Sequence, residues 1–282
     1  MFNLAMLEPI DYLVIGHITR DLTPAGPRLG GTAAYASLTA HALGLRVGIV
    51  TSWGGEVSPG VLRSIPIINY PTEHSSTFEN IYTAEGRIQI IHNLAAPLDY
   101  HLIPEPWRNA PIVHLGPIAR EVEPNLVRRF PNSLVGLTPQ GWLRNWGPDG
   151  RIFPVEWPEA SFMLQHASVA VLSVEDLAGD ESRIEEFASA SRILVITEGS
   201  AGARVYWNGD VRRFRPPAVT EVEATGAGDV FAAAFFMRLH YTRDPWEAAR
   251  FANQIAASSV TRIGLESIPT PDEVQESLLE VL

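Results

Sequence analysis

Tyr12-Leu13-Val14-Ile15-Gly16, the stretch Thr32–Leu43 with Gly44 behind it, and Val47-Gly48-Ile49-Val50-Thr51 decide the architecture. The two five-residue runs are short, apolar and β-branched-rich, which is how strands read when both of their faces are covered. Between them lies a helical stretch that Gly44 stops at a natural C′ position. The same strand signature returns at Ile112–Leu115, Leu134–Leu137, Val169–Leu172 and Ile193–Ile196, and a further helix is predicted over Glu181–Ala190. Alternation of this kind predicts an α/β chain with a mostly parallel central sheet flanked by helices.

Two regions depart from that rhythm. Ser76–Tyr82 and Arg87–His92 alternate polar and apolar residues around Glu85-Gly86, a hairpin with one wet face. Inserted early in a parallel chain, it is a candidate lid. Ala203–Tyr206 and Val211–Phe214 flank Asn208-Gly209, a strong hairpin turn, and are expected to extend the sheet edge. The last third reads as helix. Asp244-Pro245 caps a helix expected through Trp246–Arg262 and ending before Gly264, and Thr270-Pro271-Asp272-Glu273 is a capping box that opens a terminal helix. The proline-rich stretch from Pro139 to Pro158 carries Trp142, Trp146, Phe153 and Trp157, so an ordered loop is expected there rather than a linker.

Composition narrows the chemistry. The chain has 282 residues, 46% of them hydrophobic, which is ample for a buried core. Its formal charge of −11 disfavours nucleic acid and anionic membrane surfaces as partners. All 21 basic residues are Arg, and none is Lys. That excludes a lysine Schiff base, a Walker A loop and the protein-kinase strand lysine. Any phosphate must be held by backbone N–H groups, Arg or a metal. With no Cys there are no disulfides, thiolate zinc sites or cysteine nucleophiles. The eight His are scattered without metal-ligand spacing, so each is expected at the surface or half-buried. Met1 to Glu8 lacks the features of a signal peptide and no apolar run is long enough to span a bilayer, so a cytoplasmic location is expected.

Thr225-Gly226-Ala227-Gly228-Asp229 precedes the apolar helical run Val230–Leu239. Small residues let the backbone approach a ligand, and a helix N-terminus carries about half a positive charge. Together they predict an anion pocket that needs no lysine, over the amides of Gly226, Ala227 and Gly228. Asp229, in the first helical turn, is then placed to take a proton from a hydroxyl attacking a phosphate. A tight turn with a dipole-favoured Asp is the plainer reading of the same five residues. The absence of a third glycine argues against a dinucleotide site.

With this motif the chain resembles the ribokinase-like (PfkB-type) carbohydrate kinases, and the resemblance runs through nearly the whole sequence. Gly16–Asp21 resembles the first strand and the sugar-binding aspartate, Asp21. Gly30-Gly31-Thr32-Ala33-Ala34-Tyr35 is similar to the Gly-Gly substrate motif, with Tyr35 in place of the usual Asn. The resemblance implies substrate contacts from Asp21, Gly30, Gly31 and Tyr35. It implies nucleotide contacts from Ser173, Thr197, Gly199, Gly202, Thr225 and Asn253. Asp176 and Glu175 stand where an Asn-x-x-Glu motif orients magnesium, held through water. Glu223, Gly264 and Ser267 fall at a monovalent-cation loop. There Glu223 is one methylene longer than the usual Asp, which argues against strict dependence on potassium.

The resemblance therefore implies one ribokinase-like α/β domain over 1–282 with a small β lid formed mainly by an inserted hairpin at about 66–100. The expected activity is ATP- and magnesium-dependent phosphorylation of a hydroxyl on a small sugar or related polyol. A catalytically weak sugar or nucleotide sensor on the same fold is the alternative. Lid hairpins can pair edge to edge, which allows a homodimer through the lid.

Overall fold

The computed structural model describes residues 7–83 and 86–279. Nine strands form the central sheet in the order β15 (Asp210–Phe214), β14 (Ala203–Trp207), β13 (Ile193–Thr197), β12 (Val169–Ser173), β9 (Leu134–Leu137), β8 (Ile112–Leu115), β1 (Tyr12–Ile15), β4 (Val47–Ser52) and β5 (Ile67–Tyr70). From β13 to β5 every neighbouring pair is parallel, with Tyr12 opposite both Val47 and Ile112. β14 and β15 add an antiparallel edge, joined through Asn208 and Gly209, both at positive φ. β1, β8 and β9 are buried at every residue, as their apolar runs require.

Among the described residues six α-helices flank the sheet. α1 (Thr32–Ala42), α4 (Ala227–Thr242) and α5 (Pro245–Ser259) pack on one side, sharing a core with Tyr12, Val14, Ile49 and Val195. α2 (Ala160–His166) and α3 (Glu181–Ala190) pack on the other, over Leu13, Ile15, Val113 and Leu194. α6 (Pro271–Leu278) closes the chain behind the Thr270 capping box. Most of α4, from Val230 through Met237, is buried, which explains its apolar character all round. Gly136 lets Phe236 lie on β9, since a Cβ there would stand 2.4 Å from the ring.

A second sheet sits above one end of the first. Its order is β3 (Arg28–Gly30), β2 (Thr19–Leu22), β6 (Thr77–Thr83) and β7 (Gly86–Asn93). The inserted segment expected at 66–100 therefore divides: Ile67–Tyr70 joins the large sheet, while β2 and β3 contribute half of the small one. The turn at 84–85 lies outside the described residues. The ordered loop expected from Pro139 to Pro158 contains an antiparallel ribbon, β10 (Arg144–Trp146) with β11 (Ile152–Pro154). It is tied to β7 where Ile91 donates to the Gly150 carbonyl at 2.9 Å.

Two further expectations are corrected. α5 ends at Ser259 rather than Arg262, because the Val260 carbonyl receives the N–H groups of Val222 and Glu223, and the Ser259 and Thr261 hydroxyls bond back on the last turn. Two of the histidines are fully buried. His114 bridges Tyr12 and Thr138 at 3.0 and 2.8 Å, and burial lowers its pKa to about 3, so it is a neutral core residue. His17 roots the small sheet. Its Nε2–H donates to the Ala96 carbonyl, Nδ1 accepts from the Ser76 hydroxyl, and that oxygen accepts the Ala95 N–H. One side chain at the end of β1 thus fixes the chain entering β6 and the chain leaving β7. Buried Glu121 joins it by accepting N–H groups from His17, Ile118 and Ala119.

Candidate active site

The carboxyl ends of the parallel strands and the small sheet enclose a cleft of about 2430 Å³. Open α/β sheets place ligands at this edge because loops diverge and helix N-termini converge there. α4 begins at it. Gly226 is its N-cap at φ 82°, and a Cβ at Gly226 would stand 2.3 Å from the Tyr35 ring. The turn thus needs glycine twice, for its backbone conformation and for its contact with Tyr35. At Gly228 nothing lies within 4 Å of a Cβ position, so the backbone there faces open cleft.

The anion pocket differs from expectation in one amide. The Ala227 N–H donates to the Ala224 carbonyl at 3.1 Å and closes the turn. Among the described residues the N–H groups of Gly226, Gly228 and Asp229 have no backbone acceptor. Those of Gly228 and Asp229 lie in the first turn of α4 and carry its positive end.

Asp229 lines the cleft at the third position of α4. Burial raises its pKa to about 6; a hydrogen bond from Thr32 and the charge of Arg144 lower it, and Asp176 and Asp21 push it up. Thr32 opens α1 directly behind Gly31, whose φ of 82° and close approach to the His17 carbonyl also require glycine. Two helix N-termini thus meet at one carboxylate. Thr32 belongs to the Gly-Gly motif, but only the folded chain shows that its partner is Asp229.

Asp21 stands across the cleft on β2. Burial lifts its pKa to about 6, against a 2.8 Å hydrogen bond from Thr19, with Glu223 adding to the rise. Gly30, on the neighbouring strand β3 across from Thr19, leaves room for it: a Cβ there would be 2.1 Å from the Asp21 carboxylate. The Tyr35 hydroxyl is held protonated by burial and by the charges of Asp21, Glu223 and Asp229.

The donor side is less uniform. Ser173, Thr197, Gly199, Gly202, Thr225 and Asn253 all line the cleft, yet several are already engaged. Ser173 caps its own turn, Thr197 donates to the Leu172 carbonyl, and Asn253 donates to the Phe214 carbonyl. A Cβ at Gly202 would stand 1.9 Å from that same carbonyl oxygen. Gly202 and Asn253 hold the end of β15 against α5 and shape the wall.

Exposed Glu175 and half-buried Asp176 lie on the single turn after β12. Asp176 accepts from the Ser173 N–H and from Gln140 Nε2. Among the described residues no three His, Asp or Glu converge as a metal cage. Two carboxylates lining the same cleft as the α4 N-terminus still fit magnesium, which keeps several waters and takes phosphate oxygens.

The cation loop fits less well. Glu223 reaches across to accept the Gly264 N–H at 2.8 Å, so its extra methylene lets the carboxylate tie the two loops together directly. Ser267 is buried and lies outside the cleft lining.

Other residues complete the wall. Arg144, Gln140 and Thr138 come from the segment after β9, and Asn80 and Gln89 from β6 and β7. Position after a strand end is the signal that marks the first three; nothing in the hairpin's sequence alone tells which of its faces meets the cleft.

Known proteins resemble this chain in sequence and in fold. A profile for the pfkB family carbohydrate kinases matches residues 151–272, the part holding β12, the Thr225–Asp229 turn and α5. The inositol 3-kinase of Oryza sativa subsp. japonica is 25% identical over 96% of this chain and 72% of its own length. The cytidine kinase of Thermococcus kodakarensis is 26% identical over 92% of this chain and 99% of its own.

Among solved structures, a pyrophosphate-dependent ribokinase-family kinase complexed with a pyrophosphate analog and myo-inositol has a TM-score of 0.76 at 19% identity, covering 95% of this chain and 100% of that one. A ribokinase from Thermotoga maritima has a TM-score of 0.72 at 22% identity, covering 95% and 99%. At these identities the structural likeness speaks for the fold. No helix among the described residues is long and apolar enough to cross a membrane. Residues 151–272 thus carry a pfkB family carbohydrate kinase match, the fold is ribokinase-like, and the curated relatives that span most of the chain are kinases, phosphotransferases with an alcohol group as acceptor.

Proposed function

We propose that the protein transfers the terminal phosphoryl group of ATP to a hydroxyl of a small uncharged polyol, with Asp229 as the base. The observation that carries this is the position of Asp229: at the start of α4, beside the Gly228 and Asp229 amides, and facing Asp21 within one cleft. With a pKa of about 6 the carboxylate is ionised at neutral pH, yet basic enough to accept a proton as the hydroxyl attacks. The α4 amides and Arg144 would stabilise charge on the transferring group, which is most of what phosphoryl transfer asks of a protein. Glu175 and Asp176 would hold magnesium through water, where it would neutralise donor phosphate charge. The small sheet would exclude water from the reacting centre.

The acceptor side favours a neutral substrate. Asp21, Glu223 and Asp229 would repel a sugar phosphate, and the carboxylates suit hydroxyl donors. Similarity to an inositol 3-kinase and a cytidine kinase makes cyclitols and nucleosides the first candidates beside ribose and fructose. The test is turnover of myo-inositol, ribose, fructose and cytidine with ATP and with pyrophosphate as separate donors. ATP-dependent formation of a phosphomonoester on one of them is expected. Turnover with pyrophosphate but not ATP would overturn the donor assignment, and ligand binding without turnover would mark a sensor.

A further inference from the structure

Tyr12, His114 and Thr138 form a polar column inside the apolar core, and its upper end reaches the cleft. Tyr12 and His114 are fully buried and Thr138 nearly so. Tyr12 Oη stands 3.0 Å from His114 Nδ1, and His114 Nε2 stands 2.8 Å from Thr138 Oγ1. The imidazole lies nearly perpendicular to the rings of Tyr12 and Phe236, which hold its plane. Thr138 directly follows β9 and lines the cleft. Gly116 backs onto it: a Cβ there would stand 3.2 Å from Thr138 Oγ1 and 2.3 Å from Thr32, the residue that hydrogen-bonds Asp229. The column therefore ends beside the support of the base.

Only one arrangement of protons in this column leaves no buried donor stranded. Burial keeps the His114 ring neutral and the Tyr12 phenol protonated. A neutral imidazole donates from one nitrogen and accepts at the other. Were the proton on Nδ1, it would go to Tyr12, and the phenolic proton would have no acceptor. Among the described residues His114 is the sole hydrogen-bond partner of that hydroxyl, and buried donors are nearly always paired. Tyr12 therefore donates to Nδ1, and Nε2–H donates to Thr138 Oγ1. The Thr138 proton is then left without a protein acceptor among the described residues, and its open side is the cleft.

A polyol hydroxyl would be served by a freely rotating threonine in either orientation. A hydroxyl whose proton is fixed outward suits an oxygen that can only accept, and phosphoryl oxygens are of that kind. The segment behind Thr138 also brings Arg144 to the cleft, close enough for its charge to act on Asp229.

We propose that the Thr138 hydroxyl donates to an oxygen of the transferring phosphoryl group, and that His114 and Tyr12 are positioning residues that aim it. This rests on the kinase reading above. Charge gathers on those oxygens in the transition state, and a dipole already aimed at them needs no reorientation.

The test starts with the wild-type protein. Nitrogen-15 NMR reads the tautomer of His114, its signals assigned by their loss in His114→Gln. The Nε2–H form is expected; the Nδ1–H form or a cation at pH 7 would overturn the relay. Kinetics with ATP and the preferred acceptor follow. Thr138→Val should lower kcat about 10-fold or more, with Thr138→Ser keeping most of it. Tyr12→Phe should lower kcat about threefold and give mixed His114 tautomers. The acceptor KM should stay unchanged in all three. A purely structural role would change the stability of Tyr12→Phe but neither tautomer nor kcat, and that result would overturn the proposal. Should Tyr12→Phe fail to fold, the wild-type tautomer and the Val–Ser pair decide. Wild-type kcat in folded Thr138→Val would overturn the proposal while leaving the kinase reading intact. A raised acceptor KM with unchanged kcat would overturn the phosphoryl assignment by moving the hydroxyl to the polyol. Absence of turnover with every acceptor in the wild type would overturn the kinase reading and the phosphoryl assignment with it, and the tautomer would still decide the relay.

Discussion

The two ends of the central sheet each carry a cavity, and they differ in the groups they gather. At the carboxyl edge the cleft of about 2430 Å³ receives the N-termini of α1 and α4, two left-handed glycines, and two acids whose pKa is raised to about 6. At the amino edge a cavity of about 930 Å³ is lined by the first residues of β9 and β13, the Asn208-Gly209 turn and the last turn of α4. Its basic residues, Arg192 and Arg243, are exposed, and burial lowers the pKa of His240. Parallel strands and the helices that follow them have a direction. Amide N–H groups gather at one edge and carbonyls at the other, so an anion meets donors at the first and acceptors at the second. Chain polarity, rather than cavity size, is the ground for proposing the carboxyl edge as the site.

The largest expected effect comes from removing the acid that distinguishes the two ends. Asp229→Asn should lower kcat by about 10²-fold or more, and near-wild-type turnover would end its assignment as base. Stability should move the other way. The folded pKa, about 6, exceeds the ordinary aspartate value of 3.8, so between these pH values the folded state binds more protons than the unfolded one. Stability therefore falls as pH rises through that window, by up to about 3 kcal/mol above it. Asp229→Asn should melt higher than wild type at pH 8, with the margin shrinking toward pH 4. Wild-type kcat/KM should rise with pH through about 6.

Gly228→Arg comes next. A side chain there enters open cleft beside the α4 amides, and donor affinity should fall about 10-fold or more. Calorimetry showing unchanged ATP binding would remove the anion pocket from this edge. A smaller effect is expected from replacing potassium by a large organic cation. Glu223 already bonds Gly264, so kcat should change by less than about threefold, under 1 kcal/mol in the barrier. A strong potassium requirement would show that an ion displaces that contact. The smallest effect belongs to the amino edge: Arg192→Ala, on an exposed residue of the second cavity, should leave kcat and both KM values unchanged. A marked change would break the contrast between the two ends by giving the amino edge a functional role.

Much of this was legible before folding. β8 and β9 match their apolar runs residue for residue, α3 spans Glu181–Ala190, and the capping box at Thr270 opens α6 as expected. These features are local, because burial on both faces forces apolar runs and a capping side chain acts within three residues. The misses are non-local. The end of α5 is set by Val222 and Glu223 bonding to Val260, and the burial of His17 and His114 by partners far along the chain. Asn253 reads as a ligand residue by motif and holds the Phe214 carbonyl in the fold.

Sequence alone determined the alternating α/β architecture, a glycine turn leading into a helix with an acid in its first turn, and, through the absence of lysine, that any phosphate must be held by backbone, arginine or a metal. Those follow from periodicity, composition and the dipole of one helix, none of which needs a distant partner. Tertiary structure alone decided that Thr32 meets Asp229, that the Ala227 amide turns inward, that Glu223 closes on Gly264, and that the β6–β7 hairpin lines the cleft. Each joins segments far apart in the chain or chooses between the two faces of a strand, and only packing makes that choice.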